Sequence, residues 1–406
     1  MVRSTAIWGS MKVLQVHNRY RVRGGEDTTF DATFGLLQRR SVAVCALVRD
    51  SRSIPDSPCA RAAAFLTGIY SRSALKATVG LLEKERPDVV HVHNLYPLLS
   101  PSVLVACRRA RVPVVMRCPN FRLICPTGEL FSHGEVCERC LGGREYMCIL
   151  RNCREDILES VAYAVRCMAA RKLHWFTDNV AVFVSPSDFV KRRLADAGLN
   201  PDRLVVLPHF VSLPHGAADP VSGDYAAYVG RVTVEKGVEA LLQAARQCPE
   251  LPVRIAGDHS LRADLLAAAP RNVQFVGRLE REEVAQFYRK ARFLVVPSLS
   301  LETFSLVAAE AMAHGLPVLA SRIGGLPEVV DDGVTGLLFE PGNAEELSGL
   351  MRCLWRDAAL CARLGQAGRQ KAMREYAEDV HYARLIGVYE KAMGLRQAEQ
   401  RTDPVG

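Results

Sequence analysis

Short apolar stretches that alternate with helical patterns restrict the fold of this chain more than any other feature. In the first half they read MKVLQVH, SVAVCALV, PDVVHVHN, VPVVMR, AVFVSPS and LVVLP, and a second series reads YAAYVG, PVRIAGD, VQFVG, RFLVVPS and LPVLAS. Strands that follow one another through helices pair in parallel, with helices on both faces of the sheet. The sequence therefore predicts an α/β protein with two Rossmann-like, doubly wound parallel sheets.

Composition sets the boundaries between the two units. The segment HFVSLPHGAADPVSGD is rich in Pro, Gly and His and has no periodicity, which is typical of a linker. We expect an N-terminal domain over residues 1–208, a linker over 209–223 and a C-terminal domain over 224–375. The mostly helical residues 376–406 are expected to pack back on the N-terminal domain. The stretch before Met11 matches no strand, so Met11 is the expected natural start.

Two glutamates stand at the end of one strand, in the segment ETFSLVAAE. Glu302 falls in the loop after the strand RFLVVPS, and Glu310 falls inside the helix that follows. Eight residues along a helix separate two backbones by about 12 Å, which is too far for the carboxyl pair of a glycosidase at about 5 to 9 Å. The spacing suits two hydroxyl-bearing parts of one long ligand, such as the ribose and the hexose of a nucleotide sugar.

A turn with two cations precedes the helix after YAAYVG. Arg231 and Lys236 bracket VTVE there, and a helix N-terminus with nearby cations favours an anion such as phosphate. A solvated surface turn is the alternative for these two residues alone, but the ETFSLVAAE segment downstream favours the phosphate site.

The first half carries a second candidate region. Gly24 and Gly25 lie between a strand and a helix, where glycine lets the backbone approach a ligand closely. His91 and His93 alternate along the strand HVHN, and His93, nearer the carboxyl end, is the better placed to meet a substrate. We expect His91 to be a core residue.

These segments resemble glycosyltransferase family 4, a family of retaining enzymes with the GT-B fold, over nearly the whole chain. The similarity lies in VHNRYRVRGGED, HVHNLYPLLSP, PVVMRCPNFRLICPTGELF, VGRVTVEKG and the long run VPSLSLETFSLVAAEAMAHGLPVLASRIGGLPEVVDDGVTGLLFEPGN. The N-terminal segments are typical of a bacterial subgroup that makes extracellular or envelope polysaccharides. The resemblance implies two domains that face each other across a cleft.

The resemblance also implies roles for individual residues. Glu310 would hold the ribose hydroxyls of a UDP- or GDP-hexose donor and Glu302 the hexose hydroxyls, while His93 would lie over the donor sugar. The diphosphate would be held by Arg231, Lys236 and the backbone N–H groups of Phe304, Ser305 and Leu306, and the base would meet the backbone of Gly277 and Arg278. These groups stabilise the leaving diphosphate without a metal ion, so the resemblance implies no cofactor for catalysis.

Two features separate this chain from the subgroup. The family pattern usually has glycine where Thr303 and Ser305 stand, a mild change since backbone contacts are needed there. The subgroup usually reads T-L-H-N where this chain has Arg117, Cys118, Pro119 and Asn120, so proline replaces a histidine that faces the cleft. The leading hypothesis is a hexosyltransferase that acts on a lipid-linked or polysaccharide acceptor. The alternative is a catalytically weak scaffold or nucleotide-binding subunit of a polysaccharide-assembly complex.

A cysteine-rich insertion over residues 118–153 follows the fourth strand-like run, and thirteen cysteines are many for a reducing compartment. Four of them, Cys125, Cys137, Cys140 and Cys153, have the ligand types of a structural zinc or iron–sulfur site, and Zn²⁺ is favoured because the spacing matches no ferredoxin run. Relatives carry similar cysteines, with Cys148 an addition. Free thiols are an equally weighted alternative, and a disulfide is disfavoured in a reducing cytosol.

Charge divides the chain unevenly. Residues 1–205 hold 30 Lys and Arg against 19 Asp and Glu, whereas the rest holds 22 against 25. The basic half favours an anionic partner, either a membrane surface or a phosphorylated acceptor, and a merely solvated arginine-rich surface is the alternative. No nucleic-acid-binding signature accompanies the charge. No apolar stretch approaches the roughly 20 residues of a membrane span, so we expect a cytoplasmic protein, peripheral to the inner face of the cell membrane.

Overall fold

The computed structural model describes residues 11–402, apart from 215, 217, 259 and 261. The residues before Met11, to which the prediction of an over-extended start refers, lie outside the described residues. The last four residues of the predicted C-terminal helical segment lie outside them as well.

The first sheet contains six parallel strands from the first half of the chain. They are β1 (Lys12–Arg19), β2 (Ala43–Asp50), β3 (Val89–Asn94), β4 (Val114–Arg117), β7 (Val182–Ser185) and β8 (Leu204–Val206), and a small antiparallel hairpin in the insertion supplies β5 (Phe131–Ser132) and β6 (Glu135–Val136). The order across the sheet is β2-β1-β3-β4-β7-β8, so the direction in which strands are added reverses between β1 and β3. Every residue of β3 and β4 is buried, as expected of strands covered on both faces.

Helices connect these strands. They are α1 (Gly25–Arg39), α2 (Pro58–Ile69), α3 (Arg72–Glu85), α4 (Ser102–Arg109), α5 (Met147–Leu150), α6 (Ile157–Lys172) and α7 (Asp188–Asp196), with short 3₁₀ turns at Ser51–Ser53 and Pro201–Arg203. Side chains satisfy backbone N–H groups at several of their starts, as Asp156 does for α6 and Ser187 for α7.

The second sheet has the same architecture. Its six parallel strands are β9 (Tyr225–Val229), β10 (Val253–Ala256), β11 (Val273–Gly277), β12 (Ala291–Val296), β13 (Val318–Ser321) and β14 (Gly336–Phe339). They lie in the order β11-β10-β9-β12-β13-β14, which is the Rossmann order and reverses direction between β9 and β12. The predicted class of two doubly wound parallel sheets is confirmed.

The helices of the second half cover both faces of this sheet. They are α8 (Val238–Gln247), α9 (Ala263–Ala267), α10 (Arg281–Arg289), α11 (Leu306–Ala313), α12 (Leu326–Val329), α13 (Ala344–Arg356) and α14 (Ala358–Glu375), with a 3₁₀ turn at Val234–Lys236. Two apolar cores result, one on each side of the strands.

The long last helix, α15 (Glu378–Thr402), returns to the first half of the chain. Its Leu385, Ile386 and Tyr389 are buried with Val13 and Val182 in one core on a face of the first sheet. The hydroxyl of Tyr389 lies 2.8 Å from Nδ1 of His91, inside that core. The last helix therefore completes the cover of the first sheet, and the chain crosses between the two halves twice.

The connection between β8 and β9 contains no helix or strand among its described residues. It is not a free tether, because His209 is buried and Val211 donates its backbone N–H to the Tyr376 carbonyl at 3.0 Å. Within the part of the chain that the structure describes, no helix is long and apolar enough to cross a membrane.

Candidate functional site

Both candidate regions lie at the reversal points of the two sheets. The first sheet reverses between β1 and β3, where Gly24 follows β1 and His93 lies near the end of β3. The second sheet reverses between β9 and β12, where Arg231 follows β9 and Glu302 follows β12. Open parallel sheets bind their ligands outside the carboxyl ends of the strands at this point. The topology therefore gives each half of the chain one place for a ligand, and the predicted residues lie there.

The turn after β9 is held by a glycine. Gly237 ends the 3₁₀ turn with a φ of +68°, and a Cβ at this position would approach the carbonyl oxygen of Pro297 to 1.8 Å. Only glycine satisfies both conditions. The side chain of Arg231 is 69% exposed and its guanidinium lies 3.2 Å from Glu235. The turn thus packs directly against the end of β12 and leaves Arg231 open to solvent.

The carboxylate of Glu302 is the centre of a small, partly buried network. It accepts a hydrogen bond of 2.6 Å from Nζ of Lys236 and another of 2.6 Å from the hydroxyl of Ser298. Burial alone would raise the pKa of Glu302, but Lys236 and Ser298 outweigh burial, so the pKa is below its usual value. The residues assigned to the diphosphate and to the hexose therefore bind each other when no ligand separates them.

Two glycines fix the loop that carries Glu302. A Cβ on Gly324 would lie 2.4 Å from the carbonyl oxygen of Glu302, and one on Gly325 would lie 2.8 Å from that of Thr303. The Gly325 N–H also donates to the Glu302 carbonyl at 2.6 Å. Sequence reasoning quoted these glycines only as part of a longer run, although an adjacent glycine pair after a strand was the signal that could have identified them.

The start of α11 offers free donors. Among the described residues, the backbone N–H groups of Phe304, Ser305 and Leu306 donate no hydrogen bond. Phe304 anchors this turn, since its ring packs 5.4 Å from that of His209 and 5.2 Å from that of Tyr376. Free N–H groups at a helix start favour an anion.

Glu310 lies half-buried within α11 and has a different electrostatic character from Glu302. Burial raises its pKa to about 7, and the positive charge of Arg281 opposes the shift only in part. Tyr288 is fully buried, and burial together with the Glu310 charge keeps the pKa of its hydroxyl well above the usual value. The two predicted carboxylates are therefore not equivalent at neutral pH.

The predicted base-binding residues end β11. Gly277 has a φ of +77° and open space where a Cβ would stand, and Arg278 is exposed. These positions leave both backbones accessible at the edge of the second sheet.

The glycine loop of the first half begins α1. Gly24 precedes the helix with extended backbone, and its N–H donates to the Asp27 carboxylate at 3.0 Å. Asp27 also lies 2.8 Å from Nε2 of His17. Neither Gly24 nor Gly25 has an atom within 4 Å of the place of a Cβ. Asp27 thus fixes the loop, and the space beside the two glycines is free.

His93 is buried at the end of β3, with its ring 4.3 Å from that of His91 and 6.1 Å from that of His17. Its Nε2 has no hydrogen-bond partner among the described residues. Burial, together with the neighbouring His91 and Arg117, lowers the pKa of His93 well below its usual value. His93 is therefore neutral, and it lines a small cleft together with Glu26, Asn94, Pro119 and Asn120.

A polar chain beside this cleft was missed by sequence reasoning. Glu26 accepts hydrogen bonds from the Asn120 amide at 2.6 Å and from the Tyr20 hydroxyl at 2.8 Å. Arg122 donates to the Tyr20 hydroxyl at 3.0 Å and to Oδ1 of Asn94 at 2.9 Å. Three separate segments of the chain, following or ending β1, β3 and β4, contribute to this network, which is why no local motif predicted it.

The two halves of the chain meet at Pro119 and Thr303. The Thr303 hydroxyl donates to the Pro119 carbonyl at 3.0 Å, and the Ser187 hydroxyl donates to the Thr303 carbonyl at 2.7 Å. Glu328 of the second half accepts hydrogen bonds from the N–H groups of Asp188 and Phe189 at the start of α7. Pro119 and Thr303, two of the positions at which this chain departs from the family pattern, therefore take part in one contact between the halves.

The predicted metal ligands surround one small cavity in the insertion. Cys125, Cys137, Cys140 and Cys153 line it, together with Cys148. Burial and the neighbouring thiols raise the pKa of Cys140 to about 12. Among the described residues, no group of three or more His, Cys, Asp or Glu side chains is already arranged to hold a metal ion. A structural zinc at these cysteines stays a prediction.

The end of α6 and the turn after it carry two cations and a tryptophan. Arg171 pairs with Glu145 at 2.6 Å, and Lys172 is exposed. Trp175 is half-buried, with its ring 5.9 Å from that of Tyr70.

Comparison with known proteins assigns the family. Residues 24–209 match the family described as glycosyl transferase 4-like domain, and residues 218–371 match glycosyl transferases group 1. The chain belongs to the GT-B glycosyltransferases. The resemblance to family 4 is thereby confirmed. The second matched region contains all six strands of the second sheet, and the first contains every strand of the first sheet except β1.

Curated relatives of this glycosyltransferase share part of its sequence. The sulfoquinovosyl transferase SQD2 of Arabidopsis thaliana is 37% identical over 150 residues, which cover 36% of this chain and 29% of that protein. The D-inositol 3-phosphate glycosyltransferase of Mycobacterium avium is 34% identical over 197 residues, 45% of each chain. These matches span less than half the length of either relative.

Solved structures resemble the whole glycosyltransferase. The Anabaena protein HepE in complex with UDP-glucose aligns with a TM-score of 0.64 at 16% identity, over 94% of this chain and 99% of that one. Sucrose-phosphate synthase from Thermosynechococcus elongatus aligns with a TM-score of 0.71 at 18% identity, over 95% and 99%. At such identities the similarity shows the GT-B fold.

Replacement of Ser305 by glycine should stabilise the glycosyltransferase. Ser305 has φ +79° and ψ +86°, which costs a non-glycine residue about 1 kcal/mol. We expect Ser305→Gly to raise the free energy of unfolding of the second half by about that amount, as measured by urea denaturation. Thr303→Gly is the matched control, because Thr303 has no positive φ and its hydroxyl bonds to Pro119, and it should destabilise. Equal effects of the two changes would contradict this explanation.

Metal analysis tests the cysteine site. Protein purified without a metal-affinity tag should contain about one Zn²⁺ per chain, since four thiolates are a complete structural ligand set. Cys140→Ser should lose the metal and lower the thermal midpoint, whereas Cys353→Ser, at an exposed thiol outside the cavity, should change neither. Absence of metal with all cysteines open to thiol reagents would show that the cluster consists of free thiols.

Proposed function

We propose that this glycosyltransferase transfers a hexose from a nucleotide sugar to a hydroxyl of a lipid-linked or polysaccharide acceptor, with retention at the anomeric carbon. The observation that carries the proposal is the arrangement at the end of β12, where the Lys236–Glu302 pair stands beside the free N–H groups that begin α11. Within the five residues 302–306, a carboxylate that can accept hydrogen bonds from hydroxyl groups is followed by backbone N–H groups that can bind an anion. A nucleotide sugar carries a hexose and a diphosphate in the same succession.

Donor binding would exchange partners within this network. The diphosphate would take the ammonium of Lys236, the guanidinium of Arg231 and the N–H groups of Phe304 and Ser305 as donors. Glu302, released from Lys236, would accept hydrogen bonds from hexose hydroxyls. Because its pKa is lowered, Glu302 is ionised at neutral pH and acts purely as an acceptor. Glu310 would accept the ribose hydroxyls one helical turn further on.

Transfer breaks the bond between the anomeric carbon and the diphosphate and forms one to the acceptor oxygen. Negative charge grows on the leaving diphosphate in this step, and preorganised cations and N–H donors stabilise it. Removal of one such donor typically costs about 10² to 10³ in rate. We propose that Arg231, Lys236 and the start of α11 supply this stabilisation, so that no divalent cation is needed. Neutral His93 would orient the sugar or the attacking hydroxyl through its free Nε2.

The donor class is proposed from the comparisons as well as from the site. HepE was solved with UDP-glucose, which favours UDP- over GDP-hexose as the first donor to test. The name of one relative gives the group it transfers, sulfoquinovosyl, and the name of the other gives an inositol phosphate, so the relatives' names leave the acceptor of this chain open.

We further propose that the protein works in the cytoplasm at the inner face of the cell membrane, in envelope or extracellular polysaccharide synthesis. Several apolar side chains on or next to α5 and α6 are exposed, with Leu150 73%, Leu158 77% and Leu173 57% accessible. Arginines flank them in the basic half of the chain. Exposed apolar residues beside cations favour the surface of an anionic membrane.

Calorimetric titration with UDP, GDP and ADP separates the roles of the two glutamates. Glu310→Ala should weaken binding of one of these nucleotides at least tenfold, because it removes the acceptor of the ribose hydroxyls. Glu302→Ala should leave nucleotide affinity nearly unchanged and lower transfer from the nucleotide sugar. Equal loss of nucleotide affinity in both variants would contradict this division. If no nucleotide binds the native protein, the scaffold hypothesis replaces the enzyme.

Nucleotide affinity should also depend on pH through Glu310. Burial raises the pKa of Glu310 to about 7, so its carboxylate predominates above that pH and can accept both ribose hydroxyls. The ionised fraction rises roughly tenfold between pH 6 and pH 8, and we expect UDP affinity to rise by up to that factor. His314, one helical turn away, has a pKa lowered to about 4 by burial and does not titrate in this window.

Glu310→Gln is the control for the pH profile, because the amide keeps the shape of the side chain and cannot ionise. Its UDP affinity should vary with pH only through the nucleotide's own phosphate. A native profile that is identical to that of Glu310→Gln would show that Glu310 does not titrate on binding.

A further inference from the structure

Arg166 on α6 is a buried cation without an anionic partner. Arg166 is only 8% exposed. Its guanidinium lies over two aromatic rings, 4.2 Å from the ring centroid of Tyr96 and 4.4 Å from that of Tyr163. Across the described ranges, 11–402 with their four gaps, no hydrogen bond or ion pair of this guanidinium is found. Its five N–H donors thus have no hydrogen-bond acceptor among the described residues.

A buried guanidinium in this state is unusual. Charged side chains are almost never buried unless they are paired, because removal from water is costly. Stacking on two rings offsets part of that cost, but it leaves the N–H donors in the guanidinium plane unused. Other buried cations of this domain differ. Arg122 has the Tyr20 hydroxyl and Asn94 as acceptors, and Arg117 lies 3.2 Å from Nδ1 of His209.

The donors of Arg166 face a cavity of about 440 Å³, here called the Arg166 cavity. Its charged lining consists of Arg122, Glu145, Arg166, Arg171 and Lys172, and the titratable side chains of Tyr96, Cys140, Cys167 and His174 also line it. Glu145 is the one acidic group in this lining, and its carboxylate is taken by Arg171 at 2.6 and 3.1 Å. Lys172 has no partner among the described residues. The cavity therefore presents free positive charge and no free negative charge.

The Arg166 cavity adjoins the cleft of His93. Four residues line both spaces, namely Tyr96, Arg122, Leu123 and Phe176. A ligand in the Arg166 cavity can therefore extend past this shared wall towards Nε2 of His93. The volume suits a group of the size of a sugar phosphate.

We propose that the Arg166 cavity binds a phosphate group of the acceptor and thereby directs the acceptor's hydroxyl towards the His93 cleft. The proposal rests on the proposed glycosyl transfer and makes it more specific, since it requires a phosphorylated acceptor. Arg166 would supply a bidentate pair of N–H donors and Lys172 a second positive charge. The phosphate could belong to a soluble sugar or polyol phosphate or to a polyprenyl-linked sugar diphosphate, and the two share this chemistry.

Titration with inorganic pyrophosphate tests the cavity directly. The full chain is titrated with and without UDP, because UDP fills the diphosphate site of the second domain. We expect pyrophosphate to bind the UDP-loaded protein and Arg166→Met to weaken that binding at least tenfold. Arg166→Lys should retain part of the affinity, since it keeps the charge and loses the bidentate geometry. No pyrophosphate binding to the UDP-loaded native protein overturns the proposal, as does unchanged binding to Arg166→Met.

Two further variants guard against indirect effects. Lys172→Met changes an exposed side chain of the same cavity and should weaken pyrophosphate binding several-fold without loss of folding. Arg109→Met removes an exposed arginine at the end of α4, outside the cavity, and should bind pyrophosphate as the native protein does. If Arg109→Met weakens binding as much as Lys172→Met, the effect is general charge loss and the assignment of the cavity is wrong.

Flotation with uncharged phosphatidylcholine vesicles, with and without polyprenyl phosphate, identifies the source of the phosphate. Recruitment that needs both polyprenyl phosphate and Arg166 supports a lipid-linked acceptor, whereas pyrophosphate binding without such recruitment supports a soluble phosphorylated one. The same titrations separate failure of this proposal from failure of the proposed function. A protein that binds pyrophosphate through Arg166 but binds no nucleotide would keep the phosphate site and lack the proposed donor site.

Discussion

The position of one loop, residues 302–303, controls how the ligand-binding groups of the second domain are arranged. Gly324 and Gly325 pack against the backbone of this loop at distances that no side chain permits, and Lys236 holds the carboxylate of Glu302 from the opposite side. The turn that carries Lys236 is itself fixed by Gly237 against the end of β12. Three glycines and one ion pair thus bring together segments that lie far apart in sequence.

Much of this arrangement could be predicted from sequence, because it is built from local patterns. Apolar runs between helices predicted eleven of the twelve strands in the two sheets, all but β14, whose short segment GLLF was not singled out. Residues after the strand ends, such as Arg231 and Glu302, lie at the reversal points as the parallel topology requires. The pairing of Lys236 with Glu302 was not predicted, since each had been assigned to a different part of the ligand. Their proximity depends on the contact between two loops.

The polar interior of the first domain was beyond sequence reasoning for a related reason. His91, His93, His209 and His381 are all neutral through burial, and the buried guanidinium of Arg117 lies among them. These residues come from β3, β4, the interdomain connection and α15, so no window of sequence contains them. Arg166 is similar, as one arginine in an amphipathic helix gives no signal until Tyr96 and Tyr163 surround it.

The hydrogen bonds between Thr303 and the first domain have a consequence for the sequence of events in turnover. Thr303 is the neighbour of Glu302, yet its hydroxyl and carbonyl bond to Pro119 and to Ser187 across the cleft. Widening of the cleft would break these bonds and release the loop that carries Glu302. Under the proposed function, in which Glu302 holds the donor sugar, donor binding and closure would reinforce each other, and we expect the donor to enter first and its nucleotide to leave last.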